Sequence, residues 1–291
     1  RVLLPRRFDR DVHDLGFLFF STYLRWYHHT GENVLRDVLI DAGRTLALRR
    51  RPAGYLASFV GPQSLFIDIM MNVGIIFWAA RACGDDALRQ VAFDHCRMTA
   101  KYLVRDDGGT AHEGTFDDSG NFIAQTTHQG WSGETCWSRG LAWSLYGFTS
   151  AYRFTCDPAF LEVARANAAF YLRRTPAGMV PPWDYDLPQD VPSLWDSSAG
   201  AIAASGLWDL GEAVPDADER DRYHTAALTA LRTLCGEPFL AIHTPGWEGI
   251  LKQGIYHYHK KLGVRESVAW GEHFFVEALV KARAGRSSAG W

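Results

Sequence analysis

Two aspartates stand where acids are out of place. Asp14, in His13-Asp14-Leu15-Gly16-Phe17, and Asp68, in Ile67-Asp68-Ile69-Met70-Met71-Asn72, each open an aromatic-rich apolar run. An ionised carboxylate beside so much apolar surface is costly unless it has a strong partner or keeps its proton. A carboxyl group held in that way is suited to proton transfer. The plain alternative is that each is a helix N-cap, the commoner role of an aspartate at a helix start.

The densest cluster of chemistry-bearing residues runs from His128-Gln129-Gly130-Trp131 through Trp137-Ser138-Arg139-Gly140 to Trp143. Arg139 and Trp143 are four residues apart and share a helix face, which predicts a guanidinium beside an indole. Such a pair can hold an anionic sugar, the ring as an apolar wall and the arginine as a carboxylate fork. Equally, the tryptophans can be core and Arg139 a buried ion-pair partner. Asp196, ahead of Ser197-Ser198-Ala199, reads as a cap, and Glu272 as structural. His112 is by default a loop histidine. The pairs His28-His29 and His257-Tyr258-His259 have no accompanying cluster of zinc or iron spacing, so no metal and no cofactor is expected. A phosphate-cradling glycine loop, a GxSxG elbow and a nicotinamide fingerprint are all absent from the sequence.

The elements that must position these residues follow from a repeat. An aromatic and small-residue run, a break at Gly or Cys followed by an acid, and a polar amphipathic stretch recur around Gly31-Glu32, Gly84-Asp85 and Cys156-Asp157, and more weakly near Asp218. Glycine suits the left-handed residue that ends a helix; aspartate suits the next N-cap, with Pro158 in the first turn. The first helix of each hairpin is apolar nearly all round and should be buried; the second is charged on one face and should lie outside. The pattern predicts inner helices near 14–30, 68–83, 134–155, 196–212 and 270–283, and outer ones near 32–50, 85–104, 157–174 and 217–235. A six-hairpin toroid needs twelve helices, so about three more, roughly 75 residues, are expected ahead of Arg1. Residues 110–125, with Asp117-Asp118-Ser119-Gly120 at the tip, predict a small β-hairpin. Asp14, Asp68, Glu134 with Arg139, Asp196 and Glu272 all fall at the N-terminal ends of inner helices, so in a toroid they converge on one mouth.

Composition sets the bounds. The 291 residues, 47% of them hydrophobic, can bury one large core, and no linker divides them, so a single domain over 1–291 is expected. A net charge of −3 with scattered Lys and Arg argues against a nucleic-acid surface. Charge interrupts every apolar run before membrane-spanning length, so no membrane span is expected. Five dispersed cysteines without a CxxC pair fit a reduced, cytoplasmic setting; since the chain begins at Arg1, export stays open.

At these residues the chain resembles the unsaturated glucuronyl hydrolases of glycoside hydrolase family 88. The matching blocks are HDLGF at 13–17, FIDIMMNVGIIFWAAR at 66–81, THQGWSGETCWSRGLAWSLYGFTSAYRFTCDP at 127–158, VPPWDYDLP at 180–188, DSSAGAIAASGLWDL at 196–210 and ESVAWGEHFFVEALVKA at 266–282. The resemblance implies an all-α (α/α)6 barrel, no metal, and two aspartates in the HD(L/I)GF and IDxMMN blocks, here Asp14 and Asp68, as the catalytic pair. It also implies substrate-binding roles for His112, at the family's loop histidine, and for Gln129, Arg139 and Trp143. A tryptophan that walls the family's site from its N-terminal region has no counterpart here.

The family removes an unsaturated uronic acid from the non-reducing end of lyase-generated oligosaccharides by hydrating its C4=C5 enol ether. The resemblance therefore implies a small acidic oligosaccharide as partner. From the chemistry, Asp68 is expected to be the acid and then the base, with a raised pKa, Asp14 to hold ring hydroxyls, Arg139 the substrate carboxylate and Trp143 the sugar face. Two other readings stand: the related rhamnogalacturonyl hydrolases, which take pectin fragments, and a catalytically silent sugar-binding homologue.

Overall fold

The computed structural model describes residues 2–285 of the chain. Each corner of the fold is set by the residues at the breaks. Gly31, Gly84 and Cys156 adopt left-handed φ values of 70°, 66° and 56° and close helices. Cys156 does so despite its side chain, a conformation that glycine adopts more readily. Asp85, Asp157 and Asp216 then cap the following helices by accepting from Leu88, Ala159 and Glu219 backbone N–H groups.

The helices are α1 (Leu15–Phe19) and α2 (Arg25–Thr30), joined through a π turn at Phe20–Leu24, then α3 (Asn33–Ala47), α4 (Gly74–Cys83), α5 (Asp86–Leu103), α6 (Ser138–Thr155), α7 (Pro158–Arg174), α8 (Ser197–Ala213), α9 (Ala217–Leu234) and α10 (Ala269–Ala284). With α1 and α2 taken as one, nine helices stand among the described residues. α1–α2, α4, α6, α8 and α10 are the inner series, the last four neighbours in that order, and α3, α5, α7 and α9 back them from outside. The middle inner helices are buried nearly all round, residues 197–211 of α8 without exception, whereas α10 leaves Val276, Leu279 and Val280 exposed on one face. This is the hairpin arrangement of an (α/α)6 barrel. The three further helices expected ahead of Arg1 lie outside the described residues.

Two helix starts differ from expectation. The inner helix expected from 68 begins at Gly74, and Asp68 sits in a 3-10 turn, Ile67–Met71. Ile67 N–H is held by His112 O at 2.9 Å, which keeps the chain extended into that turn. The helix expected from 134 begins at Ser138, because Thr135 Oγ1 and Cys136 N–H are drawn to Asp184 and Asp186 at 2.8 and 3.1 Å. Glu134 is left exposed in the loop.

The hairpin read at 110–125 is present as β2 (Glu113–Phe116) and β3 (Phe122–Thr126), closed by Asp117, whose carboxylate accepts from Asn121 N–H at 2.8 Å. β1 (Ser64–Phe66) adds to β2 antiparallel, with Phe66 opposite Glu113. A second hairpin, β4 (Gly254–His257) and β5 (Leu262–Glu266), was not foreseen; its residues carry no clear period-two pattern. No helix among the described residues is long and apolar enough to cross a membrane.

Beneath the mouth lies a buried ionic knot. Lys281, fully buried, donates from Nζ to Asp209 Oδ2 at 2.7 Å and Ser205 Oγ at 2.8 Å and pairs with Glu277 Oε1 at 2.9 Å. Arg25 of α2 reaches Glu277 Oε2 at 2.5 Å, tying the first inner helix to the last. Burial pushes the Glu277 carboxyl up, but Lys281 and Arg25 outweigh it and hold the pKa at about 2. Its share of stability is therefore complete above the ordinary glutamate range and is lost as pH falls toward about 2. Lys281→Met should cost about 3 kcal/mol by leaving two buried carboxylates short of a cation. An unchanged urea midpoint would mean that Arg25 and Arg153 neutralise them unaided.

Candidate active site

Asp14 precedes α1 but does not cap it. The Phe17 N–H that an N-cap would satisfy goes instead to Asn72 Oδ1 at 2.8 Å, from the other aspartate's segment. Asn72 is fully buried, and its Nδ2 donates to Asp68 O at 3.2 Å and to Asp14 Oδ1 at 3.4 Å. One carboxamide thus joins both segments. Gly16 is required by this contact: a Cβ there would lie 2.4 Å from Asn72 Cα. Asp68 makes no capping bond either. Both carboxyl groups are left to the cavity, a space of about 760 Å³ that they line together with Phe17, Trp143 and Tyr256.

Each aspartate has a histidine at its side. His13 Nε2 lies 3.4 Å from Asp14 Oδ1, and its Nδ1 accepts from Phe59 N–H at 3.1 Å. His112 Nε2 lies 3.2 Å from Asp68 Oδ2, and its Nδ1 accepts from His128 and Gln129 N–H at 3.1 and 3.0 Å. Phe66 and Trp137 both pack against the His112 ring at 4.6 Å. His112 is therefore a buried neighbour of Asp68 and not a loose loop residue.

The two acids are tuned apart. Burial raises the Asp14 pKa and prevails over His13, with the Asp68 charge adding to the rise. Burial also pushes Asp68 up, but the His112 contact, with His13 and Arg139 beyond it, prevails and the net shift is down. The raised pKa expected of Asp68 from its apolar neighbours is thus found at Asp14, because the sequence does not show that His112 meets Asp68.

Arg139 departs from its expected geometry. Its guanidinium lies over Trp137 at 4.4 Å and Trp270 at 5.1 Å, and Trp143 instead meets Phe17 at 5.1 Å. Nη1 pairs with Asp196 Oδ2 at 3.2 Å and donates to Ile255 O, while Nη2 donates to Tyr256 O at 2.8 Å. Asp196 is the expected cap of α8 and also this ion-pair partner. Gln129 Nε2 donates to the same Tyr256 O at 3.0 Å. So two residues expected to bind substrate latch strand β4 to the barrel mouth. Both still line the cavity, as does Trp143. Glu134 and Glu272 do not line it.

Beyond the residues expected from the sequence, His13, Asn72 and Lys260 also shape the cavity or its aspartates, as does His257, which the sequence offered only as a superficial metal ligand. Asn72 lies inside the block quoted for Asp68, and His13 is adjacent to Asp14, so both had a signal. His257 is 5% exposed, faces the cavity, and neither ring nitrogen finds a partner among the described residues. No group of three or more His, Cys, Asp or Glu among the described residues is placed to hold a metal ion.

The sequence model of Glycosyl Hydrolase Family 88 matches residues 16–280. The chain belongs to glycoside hydrolase family 88. Within it, this family 88 chain is 32% identical to an unsaturated glucuronyl hydrolase of Bacillus sp. (strain GL1), over 98% of this chain and 78% of that one. It is 30% identical to an unsaturated chondroitin disaccharide hydrolase of Streptococcus pyogenes serotype M1, over 96% and 71%. The crystal structure of an unsaturated glucuronyl hydrolase from Bacillus sp. GL1, responsible for glycosaminoglycan degradation, superposes with a TM-score of 0.90 at 31% identity, over 99% of this chain and 80% of that one. The family 88 barrel is thus the one built here.

Removing the Arg139 fork leaves Asp196 as an unpaired buried carboxylate and frees β4. Arg139→Met should therefore lose about 3–5 kcal/mol of stability in chemical denaturation, with Arg139→Lys restoring only part. A variant of unchanged stability whose only defect is weaker sugar binding would return Arg139 to the substrate carboxylate.

Proposed function

We propose that this hydrolase releases an unsaturated glucuronic acid from the non-reducing end of small acidic oligosaccharides left by polysaccharide lyases. The observation that carries the reading is the pair Asp14 and Asp68 on one cavity, with Asn72 relieving Asp14 of capping and holding the Asp68 backbone, and a buried histidine beside each carboxyl group. The substrate classes named for the relatives point to glycosaminoglycan fragments.

Asp68, protonated, gives its proton to C4 of the enol ether, and positive charge develops at C5 and the ring oxygen. As carboxylate it then takes a proton from the water that attacks C5. The hemiketal formed opens, and the bond to the next sugar is lost without displacement at C1. A carbon base needs a strong acid, which suits a carboxyl whose anion is stabilised by His112. The incoming uronate carboxylate adds negative charge and excludes water, and both effects return a proton to Asp68.

The other residues take roles that their placement supports. Asp14, with its raised pKa, offers ring hydroxyls a donor and an acceptor. Trp143 gives the sugar a flat wall, and Gln129 bounds the mouth. Lys260, on the cavity wall, supplies the positive charge that a uronate needs. His257 walls the cavity beside His128.

Incubation with an unsaturated chondroitin disaccharide should remove the enol ether's ultraviolet absorbance, faster at mildly acidic than at alkaline pH, since the proton donor must start protonated. Asp68→Asn should slow that decay by at least about 100-fold while the disaccharide still binds in calorimetry. Binding without decay in the unaltered chain, over a panel that includes pectin-derived unsaturated disaccharides, would make the protein a sugar binder.

A further inference from the structure

The resemblance makes His112 a substrate contact, yet its surroundings describe a different task. Two backbone N–H groups, from His128 and Gln129, point at Nδ1 from 3.1 and 3.0 Å, and Thr127 Oγ1 lies 3.3 Å away. An imidazole nitrogen that accepts from fixed N–H groups cannot carry a proton itself, so the ring proton is on Nε2. Nε2 faces Asp68 Oδ2. The ring cannot turn away, since Phe66 and Trp137 both pack on it and the side chain is buried.

The clamp is built by the HQG turn. Gly130 N–H binds Thr127 Oγ1 at 2.8 Å, and a Cβ on Gly130 would lie 2.9 Å from that oxygen, so the turn can tighten only around glycine. Tightening is what aligns two successive N–H groups on one acceptor. Gln129 then runs on to hold Tyr256 O, which anchors the turn from its far side.

We infer that His112 is a positioning residue: a neutral imidazole, locked as the Nε2–H tautomer by the Thr127–Gly130 turn, that fixes the orientation of Asp68 and stabilises its anion. The inference rests on the proposed hydration reaction for its kinetic consequence and on geometry alone for the tautomer. Nε2 lies 3.2 Å from Oδ2 with its N–H off the straight line between them, and a sugar pressing on Asp68 would straighten it. The charged and titratable groups around the pair are Asp14 and His13 from the segment ahead of α1, Arg139 from α6, His128 from the turn, and Lys260 facing His128 from the β4–β5 hairpin.

The test separates three roles. His112→Asn keeps an oxygen where Nδ1 sat, so the turn is still satisfied, but nothing reaches Asp68. Losing the donor raises the Asp68 pKa, so the pH at which kcat/KM declines should move up by about one unit, and kcat at the optimum should fall by about tenfold or more. His112→Gln, which carries an amide nitrogen out to the Nε2 position, should recover part of the rate and bring the decline back toward its original pH. A raised KM with kcat and pH profile unchanged would make His112 a substrate contact and overturn the inference. Equal loss in both variants with no displacement of the pH profile would also overturn it. Independently of folding of either variant and of turnover, 15N spectra of the unaltered protein should show His112 as the neutral Nε2–H tautomer near neutral pH; an Nδ1–H ring or an imidazolium would end the proposal. Absence of turnover by the unaltered chain on the whole substrate panel would refute the hydration reading while leaving the tautomer measurement decisive for His112.

Discussion

The Asn72 carboxamide carries the arrangement of the mouth. A helix start needs an acceptor for its first free N–H groups, and the nearest aspartate is the usual supplier. At α1 that supplier is Asn72, from a segment 55 residues away in sequence from the Phe17 N–H it receives. Asp14 is thereby released from capping, and the same amide group holds Asp68 through its backbone oxygen. The relation between the two acids is consequently set by one buried, fully used side chain, not by two independent loops. Gly16 exists to let the two backbones approach closely enough for that amide to reach.

Around that centre the polar groups divide into those that hold the scaffold and those left facing the cavity. Arg139 and Gln129 converge on the Tyr256 carbonyl, and Arg139 also neutralises Asp196 at the head of α8. A fork of this kind, desolvated between two indoles, is stabilising only because each partner is present, and removing one leaves a buried charge. Deeper in the barrel, Lys281 plays the same part for Glu277 and Asp209. In both places a cation drawn into the core organises helices from distant parts of the chain.

Much of this was legible in the sequence, and the reasons are local. Helix corners at Gly31 and Gly84 follow from glycines that favour a left-handed turn, and those at Gly84 and Cys156 from the aspartate that caps the next helix. The inner and outer helices separate because apolar residues surround one set and form a stripe on the other. Asp14 and Asp68 stand out because acids are rare beside so many aromatic rings. What the sequence does not display is pairing between remote segments. Nothing in the spacing of Arg139 and Trp143 reveals that Trp137, Trp270 and Asp196 compete for the guanidinium, and nothing near Asp68 reveals His112. The start of α6 slips to Ser138 for the same reason, since Asp184 and Asp186 act from 50 residues downstream. The β4–β5 hairpin escapes notice because its strands are short and their side chains do not alternate cleanly.

The latch on Tyr256 has a further consequence. Both lone pairs of its carbonyl are taken, by an amide and a guanidinium, so strand β4 is registered to the barrel through main-chain atoms that any residue would supply. The exposed side chains of this ribbon, such as Tyr256 and Leu262 on the cavity wall, can thus vary without disturbing the acid pair, whereas Ile255 and His257 are buried and held. Divergence in sugar preference can proceed by exchanging residues on this ribbon, with the reactive end inherited intact.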